Sequence, residues 1–99
     1  MPDVLLSLHC ATRDTDAVVE ALRSTCRAPL HLRAEAVRGR DFDDAATAEK
    51  VSGELKRTTL EIVVADHLVD QLLQLVATSR RELPVRWRTT PVIDQGRIA

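Results

Sequence analysis

Residues Leu60 to Val76 read LEIVVADHLVDQLLQLV, a β-branched run that meets an acidic corner at Asp66 and passes into an amphipathic helix. This is a strand-to-helix unit. An upstream segment, Val4 to Cys26, repeats the design. Two such halves in a chain of 99 residues leave few architectures open. One domain covering residues 1–99 is the natural count at this length.

The alternation of apolar and polar residues assigns the elements. Asp3 to Cys10 reads as a strand with Val4, Leu6, Leu8 and Cys10 on one face and Leu5, Ser7 and His9 on the other. Thr12 or Asp14 is placed to cap the helix that follows, Thr15 to Cys26, with Val18, Val19, Leu22 and Cys26 as its apolar stripe. Pro29 blocks continuation. Leu30 to Arg38 alternates again, sending Leu32, Ala34 and Ala36 inward and His31, Arg33 and Glu35 outward. The segment from Gly39 to Leu55 breaks the pattern and has room for a short helix around Ala45 to Val51; long connections of this kind are commonly functional.

Lys56 to Val64 forms the third strand, and Asp66 is expected to cap a helix with Leu68, Val69, Leu72, Leu73 and Val76 inward. Arg80, Arg81 and Pro84 end that helix. Val85 to Thr90 is a fourth strand, and the tail from Pro91 to Ala99 has room for a short fifth. The order β-α-β-β-α-β predicts an α+β, ferredoxin-like sandwich, an antiparallel sheet with two helices on one face. Right-handed crossovers then order the strands fourth, first, third, second.

Such a fold leaves one sheet face uncovered. It carries Leu5, His9, His31, Arg33, Glu35, Val37, Thr59, Glu61, Val63, Arg86 and Arg88, half charged and half apolar. With only two aromatic residues, Phe42 and Trp87, the core is thin, and apolar residues on the open face favour packing against other copies of the chain.

Fourteen basic residues against fifteen acidic ones give no long-range field toward nucleic acid or membrane, and the basic residues lack aromatic interleaving. No apolar run approaches the roughly 20 residues of a membrane span, and Met1 to Ser7 lacks the basic start of a secretory signal, so a cytoplasmic location is expected. Cys10 and Cys26 match no zinc-ligand spacing and should lie at opposite ends of the domain. No Ser-His-Asp or Cys-His constellation appears, and Asp43 and Asp44 sit in an exposed connection where nothing tunes their pKa, so the chain reads as no enzyme.

The residues resemble the PII signalling superfamily over essentially the whole chain. LEIVVAD followed by Val69-Asp70-Gln71-Leu72-Leu73 is similar to the third strand and second helix of those trimeric regulators. Glu35-Ala36-Val37-Arg38-Gly39 is similar to the entry of their large T-loop, and Thr90-Pro91-Val92 with Arg97-Ile98 to their C-terminal strand and arm. A branch of short PII-like proteins often linked to heavy-metal efflux systems is more similar still. It shares Ala48-Glu49-Lys50-Val51-Ser52-Gly53 and a closing Pro91-Val92-Ile93-Asp94-Gln95-Gly96-Arg97-Ile98.

The resemblance implies a homotrimer with effector clefts between subunits, a regulatory loop at residues 39–55, and a partner protein such as a membrane transporter or metal-efflux component. Carried over by position, it points to Gly39 and Arg40 at the loop base, Arg57 and Glu61 on the third strand, Arg80 and Arg81 after the second helix, and Arg97 in the arm. Two departures bear on the effector. Ser79-Arg80-Arg81-Glu82-Leu83-Pro84-Val85 holds no glycine where ATP-binding members carry a glycine-rich phosphate loop, which argues against a nucleotide and leaves the cofactor unassigned. The chain also has no tyrosine to modify.

Two other functions stay open at this point, a metal-binding protein of the copper-tolerance type and a structural trimer without ligand. For metal, His9 and His31 share the outward face but are expected roughly 20 Å apart at 3.3 Å per residue. Only copies of His9 gathered on a threefold axis would then make a site.

Overall fold

A computed structural model describes residues 2–39 and 45–99. Arg40, Phe42, Asp43 and Asp44 therefore lie outside the described residues. Among those described, four strands form one antiparallel sheet: β1 (Asp3–Ala11), β2 (His31–Arg38), β3 (Glu54–Ala65) and β4 (Arg86–Pro91). Helix α1 (Thr15–Arg23) follows β1, α2 (Thr47–Ser52) lies between β2 and β3, and α3 (Val69–Ala77) follows β3. The strand order β2-β3-β1-β4 is the one that right-handed crossovers demand, and the fold is the ferredoxin-like arrangement expected.

β3 is the spine of the sheet. Its register runs from Asp3↔Ala65 to Ala11↔Arg57 on one side and from His31↔Glu61 to Arg38↔Glu54 on the other. Its inward residues Leu60, Ile62 and Val64 meet Leu6, Leu8 and Cys10 of β1. The helices close this layer with Val18 and Leu22 from α1 and Val69, Leu72 and Val76 from α3. The spacing of those helical residues, three, four and seven apart, is one helix face, which is why both helices lie on the same side. Each fully buried leucine in this layer contributes about 2 kcal/mol.

Several local expectations are corrected. The inward residues of β2 are not covered: Leu32 is 48% exposed, and Ala34 and Ala36 are also exposed. β2 is the edge strand beyond β3, and the two helices roof β1 and β3 without reaching it. The helix after β1 ends at Arg23, although the Cys26 amide still reaches the Leu22 carbonyl at 3.0 Å.

The acidic residues do not cap their helices by side chain. Asp14, only 3% exposed, instead accepts the backbone amides of Glu82 and Leu83 at 3.0 Å each, tying the turn after α3 to the start of α1. Asp66 is the first residue of a single 3₁₀ turn, and its amide donates to the Pro2 carbonyl. No fifth strand forms after β4. The Val92 amide adds one bond to the Asp3 carbonyl, the Gln95 amide group reaches the Asp3 carboxylate at 2.9 Å, and the tail then stands in solvent with Ile93 and Ile98 exposed.

Cys10 is buried, Cys26 is partly buried, and both are free thiols. Burial pushes the Cys10 thiol pKa up, which keeps it protonated and unreactive at neutral pH. The core layer also sets a stability test. Replacing the fully buried Leu60 with alanine should cost about 3 kcal/mol in urea denaturation with the slope unchanged. A loss below about 1 kcal/mol would mean that the layer is not the core.

Candidate functional site

The uncovered sheet face is built by strand parity. Odd-numbered residues of β1, β2 and β3 and even-numbered residues of β4 share it, because His9 pairs with Thr59 and Arg86, and Thr59 pairs with Arg33. Two polar clusters cross it. In one, Arg33 Nη1 donates to Glu61 Oε1, and the Ser7 hydroxyl donates to Glu61 Oε2 at 3.3 Å. In the other, His9 Nδ1 lies 2.8 Å from Glu35 Oε1 and 3.0 Å from the Thr59 hydroxyl. With its proton on Nδ1, the imidazole donates to the Glu35 carboxylate. Thr59 is fully buried and Ser7 nearly so, although neither lies beneath a helix. The face is thus partly roofed by its own long charged side chains, with Leu5, Val37 and Val63 between them.

At one end of this face stands Arg57, 4% exposed. Its guanidinium Nη1 donates to both carboxylate oxygens of Glu49 at 3.1 Å and to the Lys56 carbonyl at 2.8 Å. Glu49 belongs to α2 and also accepts the Ala46 amide at 3.1 Å and the Lys56 amide at 2.6 Å. The clasp has a simple cause. β1 ends at Ala11, opposite Arg57, and Glu49 accepts from the β3 amide one residue beyond that ladder. As the third residue of its helix, Glu49 can also bind the amide at the helix entrance, while Ala46 has no hydroxyl to complete a reciprocal capping box. Gly53 ends α2 at φ 73°, a left-handed position that suits glycine, and so returns the chain into β3.

Among the described residues, those suggested by position are not gathered in one cluster. Arg57 is engaged by Glu49, and Glu61 by Arg33 and Ser7. Arg81 lies across the end of α3, donating to the carbonyls of Val76 and Leu83 at 3.1 and 3.0 Å. Arg80 borders a shallow groove between α1 and α3 with Ala17, Glu20 and Ser24. Gly39 closes β2 just before the undescribed residues, and Arg40 lies among them. Arg97 is exposed in the tail, which leaves β4 where Pro91 pairs with Val4, about 23 Å along β1 from the Ala11↔Arg57 pair. Glu49 is the member that positional reasoning missed.

For metal, the expected spacing of the histidines is corrected by the register. His9 is level with Arg33, one pair-step of two residues from His31, which places them about 12 Å apart across two strands. That is still too far for one ion. Among the described residues no group of three His, Cys, Asp or Glu side chains is placed to hold a metal ion.

Three carboxylates of the face and clasp are held below the ordinary glutamate range. For Glu35 the Thr59 hydrogen bond is the main cause, joined by His9 and opposed by burial. For Glu49 burial opposes ionisation and is outweighed by the Lys56 and Ala46 amides and by Arg57. For Glu61 the Arg33 hydrogen bond dominates. A carboxylate depressed on folding stabilises the fold above its unfolded pKa, and that contribution is lost as pH falls through the folded value. The melting temperature should therefore drop as pH falls below about 4.5, and Glu61→Gln should flatten the drop in calorimetry. An unchanged slope in that variant would contradict the assigned ion pair.

The whole chain, residues 1–99, matches the family model described as "Protein of unknown function (DUF3240)". The fold is similar to the crystal structure of a DUF3240 family protein from Shewanella baltica, with a TM-score of 0.79 at 18% identity, covering 100% of this chain and 99% of that one. It is also similar to a Bacillus cereus protein related to NIF3 (TM-score 0.72, 9% identity), where 97% of this chain spans only 26% of the other. A functionally unknown protein from Pediococcus pentosaceus is a third (TM-score 0.63, 11% identity, 99% of each chain). No curated protein matches. At these identities the structural likenesses speak to fold alone, whereas the full-length model match establishes the family: the chain belongs to DUF3240, a family of proteins of unknown function.

Proposed function

We propose that this chain is a PII-like, non-catalytic regulatory protein of the cytoplasm. It works as a homotrimer and acts on a partner protein through the connection between β2 and β3. The partner is a membrane transporter or metal-efflux component, and the effector sits in a cleft between subunits. The single observation that carries the reading is the sheet face that α1 and α3 leave open, where Leu5, Val37 and Val63 stand among charges that include the His9–Glu35 and Arg33–Glu61 pairs. Charges that are satisfied within the face can be packed against another copy without being stranded.

Two further observations support the reading. The tail holding Arg97 leaves from the end of the sheet opposite Arg57, which suits an effector site that draws these residues from two subunits. Helix α2, at the return end of the connection from β2 to β3, is anchored to the sheet by the Glu49–Arg57 clasp, a contact whose release would free that helix. The effector is not expected to be a nucleotide, because the turn after α3 is shaped by Asp14 and Arg81 without a glycine that would let backbone amides approach a phosphate chain. Among the described residues no helix is long and apolar enough to cross a membrane.

Sedimentation tests the assembly. Chains of 11.0 kDa should run at three times that mass, about 33 kDa, at micromolar concentration. Val63→Glu, which places a charge beside Leu5 on the open face, should run as one chain with its circular dichroism unchanged. A wild-type chain that sediments alone would overturn the proposal.

A further inference from the structure

Between α1 and the edge strand β2 runs a groove of about 520 Å³, a size common among small-molecule sites. Its apolar lining includes Val19 of α1, Cys26 of the connection, and Leu30 and Leu32 where β2 begins. Val19, Cys26 and Leu30 pack against the core, so the floor is held in place, while Leu32 remains 48% exposed. The charged residues of the lining are Arg23, at the end of α1, and Arg27, four residues on. Both are exposed, and neither has an ion-pair partner among the described residues. No acidic residue lines the groove. Asp16 and Glu20 border a neighbouring depression on α1 and pair with neither arginine.

An apolar floor beside two uncommitted guanidinium groups is complementary to an alkyl chain that ends in an anion. The planar fork of arginine matches a carboxylate in particular. We propose that the groove between α1 and β2 binds a free fatty carboxylate of medium chain length, its chain along Leu30 and Leu32 and its head on Arg23 and Arg27. Neither half of the ligand suffices. A short carboxylate would make only exposed, salt-screened charge contacts, and an alkyl cation would meet two like charges. The site lies within one chain, so the inference goes beyond the regulatory reading and does not depend on the trimer.

Cys26 reports occupancy from inside the groove, and it is the more accessible of the two thiols, since Cys10 is 0% exposed. Decanoate at neutral pH, kept below its micelle concentration, should slow alkylation of Cys26 by uncharged iodoacetamide about tenfold once about nine-tenths of the sites are filled. The melting midpoint should rise in step. Acetate and decylammonium at the same concentrations should do neither. Arg23→Gln combined with Arg27→Gln alters only exposed side chains, so the free protein should melt as the wild type does, while decanoate affinity falls at least about tenfold. Leu32→Asp, which sets a charge on the floor, should also weaken binding.

No decanoate binding, equal protection by decylammonium, or an affinity unchanged in the arginine variant would each overturn the proposal. Binding that leaves Cys26 as reactive as before would place the ligand elsewhere and overturn it too. So would a Cys26 whose protection in ligand-free protein grows with protein concentration, because a second copy would then be the occupant.

Discussion

A guanidinium buried where a neighbouring strand ends must be matched or the fold loses several kcal/mol, and Glu49 is matched to Arg57 in this way. Through that pair the least regular part of the molecule is tied to its most regular part. Glu49 belongs to a helix of six residues, too short to stand on propensity. Arg57 belongs to the strand that pairs on both sides. The carboxylate also accepts from the strand's own amide where β1 has run out, so the contact completes the sheet's hydrogen bonding as well as its charge balance. Removing one partner from such a pair is expected to cost about 3 kcal/mol or more, enough to undock α2 while leaving the core in place.

The same logic governs the rest of the open face. Glu61 holds Arg33 and Ser7, and Glu35 holds His9 beside the Thr59 hydroxyl. Each carboxylate is depressed by a partner on the face itself. The face is therefore neither a bare hydrophobic patch nor an open field of charge. Paired charges flanked by Leu5, Val37 and Val63 suit contact with an identical surface better than they suit a polyanion, and near-neutral net charge points the same way.

Much of the fold was legible because its period was strong. Alternation in β1 and β3, the stripes of α1 and α3, and the handedness of crossovers were enough to order the strands. What failed depended on contacts between elements distant in sequence. Asp14 reads as a helix cap, yet its carboxylate serves amides 68 and 69 residues away. Leu32 reads as core by alternation, and edge position leaves it exposed. The histidine spacing was misjudged because the true register slides β2 along β3 and brings His31 opposite Glu61. The tail alternates poorly and adds one bond rather than a strand. The site was legible only in part: Arg57 stood out by position, whereas its partner Glu49 lay in a stretch without periodicity, where spacing alone does not select one carboxylate.

Amide hydrogen exchange across residues 45–65, compared between the wild-type chain and Glu49→Gln, tests most directly whether this one pair fastens the connection to the sheet. The account predicts that Lys56 and the amides of α2 exchange on the order of a hundredfold faster in the variant, while Leu60 and Ile62 in the core of β3 keep their protection. Equal protection of α2 in both proteins would contradict it.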